Sequence, residues 1–198
     1  SPRSGSAPGE GSGWRAVTAR LCPGTLRAMS ALADRLAART LELVDIPSTS
    51  GSEAAIREHV LELVPPTLVP EYAGDEAYLL APQRRPERPL VVLCAHYDTV
   101  PPQGNLPGRI ADGAVHGLGA SDMKAGLAVA LELVRDRNDA EGPYDTALLL
   151  FGREELPADH NPLPALFDGS SVVHEAALAI LLEPTDLTVQ AGCLGHLV

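Results

Sequence analysis

Three short apolar segments constrain the fold of this chain most strongly. They cover residues 90–95, 147–151 and 177–182, and none of them alternates between apolar and polar positions. Unbroken apolar runs of this length are typical of strands that are covered on both faces, as in parallel sheets. The segments between them are long enough to form helices. The sequence therefore predicts an α/β sandwich with a mostly parallel central sheet, in which residues 90–95 form a central strand.

Apolar residues at helical spacing predict helices that pack on this sheet. The first covers residues 29–46 and the second residues 53–64, and a proline ends each of them. Ser50 and Glu53 have the spacing of a capping box at the start of the second helix. A third helix is predicted over residues 122–134. Shorter β-like segments are predicted near residues 67–72 and 77–80.

The composition limits the classes of partner. Fifteen basic residues against 26 acidic ones give a net charge of −11, which opposes binding to nucleic acid or to an anionic membrane surface. The apolar segments are also far shorter than the roughly 20 residues that span a bilayer. We therefore expect neither a nucleic acid nor a membrane as a partner.

The first 28 residues differ from the rest of the chain. They are rich in glycine, proline and serine and lack the apolar core of a signal peptide. We expect a disordered leader or a misassigned start, with Met29 as the true first residue, and the arginine-rich composition leaves a transit peptide as an alternative. Residues 29–198 are the predicted domain. Three cysteines without C-x-x-C spacing (Cys22, Cys94 and Cys193) favour a reducing compartment, and hence the cytoplasm.

Residues with catalytic or metal-binding chemistry follow the ends of the predicted strands. A glycine-rich loop before the third helix supplies one further carboxylate. Each residue alone has an ordinary structural explanation, such as a loop cap, a helix N-cap or a surface acidic pair. Because the carboxyl ends of parallel strands meet at one edge of a sheet, the set together predicts a single site. Its members are His96, Asp98, Asp122, Glu154, Glu155 and Glu183.

One histidine with several carboxylates suits zinc, cobalt or manganese in a two-metal hydrolytic site. Asp98 lies two positions after His96 and can orient its ring. Lys124, the only lysine in the sequence, lies two positions after Asp122. We expect it to be a solvated residue in the first turn of the third helix.

The order and spacing of these motifs resemble a known family. H-x-D, G-x-G-x-x-D-M-K, E-E and E-P-T occur in this order from residue 96 to residue 185. They resemble the dinuclear zinc amidohydrolases, which include aminoacylases, acetylornithine deacetylase, carboxypeptidase G and succinyl-diaminopimelate desuccinylase. Residues 96–101, 104–107, 121–124, 182–186 and 192–195 are most similar to the actinobacterial branch of the desuccinylases.

The resemblance implies a role for each site residue. His96, Asp122 and Glu183 would bind one zinc ion, and Asp122 and Glu155 would bind the second, so that Asp122 bridges the two. Cobalt could replace zinc. Glu154 would be the general base, and Asp98 would orient His96. The implied substrate is a small N-acyl amino acid, N-succinyl-LL-2,6-diaminopimelate, and the complete enzyme is expected to be a homodimer.

Two parts of the family pattern are not found in these 198 residues. One is a histidine ligand for the second zinc, and the other is a lid domain. His196 and His160 are candidates for the histidine, but neither is the expected ligand. In the family the segment around His196 leads towards the lid, and we expect His160 to be a solvated loop residue. The chain thus resembles the N-terminal part of the catalytic domain, and we expect an uncovered sheet edge and an inactive fragment. Acetylornithine deacetylase, another amidohydrolase or dipeptidase, and a non-catalytic metal-binding fragment remain alternatives.

Overall fold

A computed structural model describes the backbone of residues 23–136, 142–185 and 188, with side chains from residue 31 onward except that of residue 136. The helices and strands follow one another in the order α1 (Pro23–Val44), α2 (Ala54–Leu63), β1 (Val69–Gly74), β2 (Ala77–Ala81), β3 (Leu90–His96), β4 (Arg109–Ala111), β5 (Ala114–His116), α3 (Ala125–Asp136), β6 (Asp145–Phe151), α4 (Leu163–Gly169) and β7 (Ala176–Leu181).

The central sheet has five strands among the described residues, in the order β1-β2-β6-β3-β7. β3 pairs in parallel with both β6 and β7. β2 is antiparallel to β1 and to β6, so it alone runs against the other four strands. The predicted α/β class with a mostly parallel sheet is confirmed, and residues 90–95 lie between two neighbouring strands as expected. β4 and β5 form a separate antiparallel hairpin.

Apolar clusters cover both faces of the sheet. On one face, Leu93 and Leu148 pack in a cluster with Leu43, Ile56 and Leu131 from the first three helices. On the other face, a cluster formed by β2, β3 and β6 includes Leu166 of α4. Alternate residues of β3 join opposite clusters because successive side chains of a strand point to opposite faces. This packing explains the unbroken apolar run in the sequence.

The structure corrects two predictions about helix starts. α1 begins at Pro23, six residues before the expected start at Met29. α2 has Glu53 at its N-cap without a side-chain capping bond, and the Ser50 hydroxyl donates to Asp98 instead. The predicted capping box is therefore wrong, because the Ser50 hydroxyl forms its hydrogen bond with a residue that is distant in sequence.

The last described strand corrects a third prediction. β7 confirms the strand expected near residues 178–182, but it lies at the edge of the described sheet. Its residues Leu178, Ile180 and Leu181 are 53%, 41% and 54% exposed, so the expectation of a buried strand is wrong for this part of the chain. Among the described residues, no helix combines the length and the apolar character that crossing a membrane requires.

Candidate metal centre

His96 ends β3 and lies at the centre of the candidate site. Its side chain is fully buried, and its two ring nitrogens face different carboxylates. Nδ1 lies 3.3 Å from Oδ1 of Asp98. Nε2 lies 3.2 Å from Oδ1 of Asp122 and 3.4 Å from Oε1 of Glu183. One nitrogen thus faces Asp98, while the other points into a group of carboxylates.

Asp98 connects three parts of the site. Its buried carboxylate accepts hydrogen bonds from the Ser50 hydroxyl at 2.6 Å and from the backbone N–H groups of Glu154 and Glu155 at 3.1 and 3.2 Å. Burial alone raises the pKa of Asp98, but the bonds from His96, Ser50 and the Glu154 N–H outweigh it and lower the pKa. Asp98 is therefore held as the anion and fixes both His96 and the acidic pair.

Asp122 reaches the site from the loop before α3. Residues Ala120–Lys124 form a wide turn, and the peptide bond between Asp122 and Met123 is cis. Gly119 has φ of +70°, and a Cβ at this position would lie 2.5 Å from Cγ2 of Thr99, so a glycine is required there. Because Asp122 and Met123 have non-helical backbone angles, the helix predicted over residues 122–134 begins later, at Ala125. The Asp122 side chain remains 58% exposed and faces solvent as well as His96.

The sequence suggested that Lys124 is solvated, and the structure shows that this prediction is wrong. Lys124 is 1% exposed, and its ammonium group donates to the carbonyls of Leu43 and Ile46 at 2.8 and 3.1 Å. Burial lowers its pKa to about 8, while the charge of Asp45 opposes the shift. The packing of α1 against this turn, which the local sequence does not reveal, places Lys124 in the interior.

The acidic pair follows β6, which lies beside β3 in the sheet. Glu154 and Glu155 line an open pocket of about 640 Å³ together with Asp122 and Glu183. Asp122 and Glu155 also line a second pocket of about 350 Å³ beside the Gly117–Gly119 loop. Burial and the negative charges of Asp122 and Glu154 raise the pKa of Glu155.

Glu183 follows β7, on the other side of β3. Burial raises its pKa to about 7, and the charges of Asp122 and Glu154 add to that effect, although His96 opposes it. Burial lowers the pKa of His96, but the hydrogen bond and charge of Asp98, with the charges of Glu183 and Glu154, raise it to about 9. The carboxylates thus repel one another around one imidazole, an arrangement that a cation would stabilise.

The donor atoms fit a metal ion. His96, Asp122 and Glu183 each offer one ligand atom, and these atoms all lie within 4.8 Å of one another. One nitrogen and two oxygen donors match the ligand preferences of zinc and related divalent ions.

The structure brings the six predicted residues to one end of the sheet. Glu155 shares the pocket but lies outside the compact group of three donors. His160 is exposed, with a side chain 58% accessible. His196, Cys22 and Cys193 lie outside the described residues. The sequence did not single out Ser50 as part of the site, because its local spacing indicated a helix cap.

A histidine and carboxylates at the ends of parallel strands define a candidate metal centre on an α/β sheet. The family model described as "Peptidase family M20/M25/M40" matches residues 92–193, which include every one of the six site residues. The chain belongs to this family.

Similarity to individual proteins agrees with this assignment. Succinyl-diaminopimelate desuccinylase of Corynebacterium glutamicum is 38% identical over 165 residues, which are 80% of this chain and 44% of the relative. Human carnosine dipeptidase 1 has a similar fold, with a TM-score of 0.64 at 13% identity over 80% of this chain and 40% of that chain. The YXEP protein of Bacillus subtilis, described as a dinuclear metal-binding peptidase of the M20 family, has a TM-score of 0.53 at 18% identity over 77% of this chain and 43% of that chain. The chain thus spans less than half the length of these proteins.

Proposed function

We propose that this chain carries the metal-binding part of an amidohydrolase that cleaves N-succinyl-LL-2,6-diaminopimelate into succinate and LL-2,6-diaminopimelate. The observation that carries the proposal is the group formed by His96, Asp122 and Glu183, whose donor atoms lie within 4.8 Å of one another. The similarity to the desuccinylase of C. glutamicum supports the substrate.

The proposed ligand sets follow from the positions of the donors. His96, Asp122 and Glu183 would hold one zinc ion, and Asp122 and Glu155 would contribute to a second. The two pockets that meet at Asp122 and Glu155 support a bridging position for Asp122. Cobalt is a proposed substitute, because it accepts the same nitrogen and oxygen donors. When bound, such ions polarise a carbonyl oxygen and make water more acidic.

The other residues of the site would move and hold protons. Glu154 is the proposed general base: it takes a proton from the attacking water as the C–O bond forms, and it delivers a proton to the amine as the C–N bond breaks. Glu154 lines the large pocket, and its backbone N–H is fixed by Asp98 at 3.1 Å. Asp98 holds the ring of His96 in place through Nδ1.

The remaining parts of the proposal concern partners and location. The partner is a small N-acyl amino acid, and the acidic net charge of −11 argues against nucleic acid. We also propose a homodimer for the complete enzyme, on the family resemblance. A cytoplasmic location is proposed from the odd number of cysteines without C-x-x-C spacing.

A comparison of two substrates tests the proposal. A protein that contains this chain and extends to the length of its relatives should hydrolyse N-succinyl-LL-diaminopimelate in preference to N-acetylornithine, after the metal-free protein is reloaded with zinc or cobalt. Preference for N-acetylornithine would remove the desuccinylase assignment and leave the amidohydrolase assignment in place. The match spans 44% of the C. glutamicum relative, and we expect the 198-residue chain alone to turn over neither substrate. Rapid turnover by it would show that these residues suffice for catalysis.

A further inference from the structure

The turn between β1 and β2 combines acidic residues with a left-handed backbone. Asp75 has φ of +43° and Glu76 has φ of +65°. Hairpin turns with two positive φ values favour asparagine, aspartate and glycine, because most other residues are strained in this region. A glutamate at the second position of such a turn indicates that its contacts outweigh the strain.

Glu76 has a partner for each of its oxygen atoms. One carboxylate oxygen pairs with the guanidinium of Arg57, and the other accepts a hydrogen bond from the Tyr97 hydroxyl at 2.8 Å. Its backbone carbonyl accepts bonds from the Tyr97 hydroxyl at 3.1 Å and from the N–H of Gly152 at 2.9 Å. The Glu76 side chain is only 13% exposed. The residue is therefore a junction between α2, β3 and the end of β6.

Two of these contacts lead directly to the candidate site. Tyr97 lies between His96 and Asp98 in the sequence and is 1% exposed. A Cβ on Gly152 would lie 2.8 Å from Cε2 of Tyr97, so the tyrosine ring packs tightly against the backbone that precedes the acidic pair.

Asp75 adds a second attachment to the same segment. Its carboxylate lies 2.9 Å from Nη1 of Arg153, a residue with φ of +58°. Residues 152 and 153 are thus fixed by the turn, and residues 154 and 155 are fixed by the carboxylate of Asp98. Four consecutive residues are held from two sides.

We propose that Glu76 is a positioning residue whose carboxylate acts through the Tyr97 hydroxyl. It sets the placement of His96, the sequence neighbour of Tyr97, and of residues 152–155, on which the Tyr97 ring packs. The inference rests on the proposed function, because it concerns the zinc ligand and the acidic pair assigned there. It also assigns a role to a buried glutamate that the proposed reaction does not use.

The test uses the 198-residue chain and readouts other than turnover. Glu76→Ala should weaken Zn²⁺ binding about 10-fold in calorimetry, as is typical when a group that supports a metal ligand is lost. It should also change the visible absorption spectrum of bound Co²⁺ and speed amide hydrogen exchange in residues 152–155. Glu76→Gln, which keeps the length and an acceptor for Tyr97, should restore most of the Zn²⁺ affinity.

Asp112→Ala is the matched control. Asp112 also has a positive φ, of +53°, in a hairpin turn, between β4 and β5, and its side chain is exposed. It should leave Zn²⁺ affinity and the Co²⁺ spectrum unchanged. Tyr97→Phe keeps the buried ring and should reproduce part of the Glu76→Ala effect, so the test remains decisive if Glu76→Ala does not fold.

The outcomes separate this inference from the proposed function. If the wild-type chain binds Zn²⁺ and both Glu76→Ala and Tyr97→Phe bind it equally well with an unchanged Co²⁺ spectrum, the positioning role is wrong and the metal site stands. Faster exchange without any change in the metal readouts would also overturn the positioning role, since it would show a purely structural one. If the wild-type chain binds neither metal, the proposed function fails, and this inference fails with it.

Discussion

The ammonium group of Lys124 donates a hydrogen bond to the backbone carbonyl of Leu43 at 2.8 Å. A second bond reaches the carbonyl of Ile46 at 3.1 Å. These carbonyls lie at the C-terminal end of α1 and just beyond it, where backbone carbonyls lack helical partners and a positive charge is favourable. Lys124 therefore joins the end of α1 to the turn that carries Asp122.

Lys124→Ala should lower the free energy of unfolding by about 2 kcal/mol or more, because it removes two hydrogen bonds and opens a cavity in the interior. Urea unfolding followed by circular dichroism measures the change. Ser121→Ala, in the same turn but exposed, is the control and should shift stability by less than about 0.5 kcal/mol. Equal stabilities of wild type and Lys124→Ala would show that the two bonds are not important for folding.

His96→Ala should abolish tight Zn²⁺ binding by the chain, with a loss on the order of 100-fold or more, because it removes the nitrogen donor of the three-residue group. Calorimetry on metal-free protein gives the affinity and the stoichiometry, which we expect to reach about one ion per chain. His160→Ala is the matched control, since His160 is an exposed histidine in the loop after the acidic pair. Retention of wild-type affinity by His96→Ala would contradict the ligand assignment.

Glu154→Gln and Glu155→Gln should separate proton transfer from metal binding in a protein of full family length. A general base acts in the transition state without holding the metal, so Glu154→Gln should reduce kcat by roughly 100-fold or more and leave zinc content intact. Glu155→Gln should instead lower occupancy of the second ion. Metal analysis and steady-state kinetics on the same preparations measure both effects. The reverse pattern would mean that Glu155 is the general base and Glu154 the metal ligand.

In the Asp145→Asn variant, the free energy of unfolding should change less between neutral and acid pH than it does in wild type. The buried carboxylate of Asp145 binds Arg84 at 2.7 Å and Arg85 at 2.6 Å. Although burial raises the pKa of Asp145, its bonds and charge interactions with Arg85 and Arg84 lower it below the usual value of 3.8. The stabilisation is therefore present above the pKa of the unfolded chain and is lost as the pH falls through the folded-state pKa.

At pH 7 the Asp145→Asn variant should be less stable than wild type by about 2 kcal/mol, and the difference should shrink below about pH 4. Urea unfolding across this pH range measures it. Asp168→Asn changes an exposed carboxylate and should follow the wild-type profile. A difference between Asp145→Asn and wild type that stays constant down to pH 2 would contradict the assigned cause.

The strands could be predicted because their signal is local. β3 and β6 are covered on both faces, so residues 90–95 and 147–151 within them are all apolar or small, and the sequence shows this directly. The polar residues that follow these strands could be assigned to one site, because parallel strands end at the same edge of the sheet. The exposure of β7 could not be predicted in the same way, since an apolar strand has the same sequence whether or not its faces are covered.

The errors at Ser50 and Lys124 have a shared physical cause. Ser50 has the spacing of a helix cap, but its hydroxyl bonds to Asp98, 48 residues away. Lys124 follows the predicted helix start at residue 122, but its ammonium group bonds to a carbonyl 81 residues away. Polar side chains take their partners from tertiary structure, and local spacing does not reveal those partners. Glu76 is a third example, since its carboxylate contacts Arg57 and Tyr97 in two separate segments.

The parallel pairing of β3 with β6 and β7 has a consequence for how this site tolerates sequence change. The distance between His96 and the acidic residues that follow β6 and β7 is set by the register of the three strands and not by the length of the connections. Insertions at exposed turns such as residues 112–113 leave that register unchanged. A deletion of one residue within β6 would exchange the two faces of the strand, so that side chains packed in one cluster would enter the other, where they do not fit. Turns of this kind therefore tolerate changes in length, whereas the connection before α3 does not, because it carries the donor Asp122.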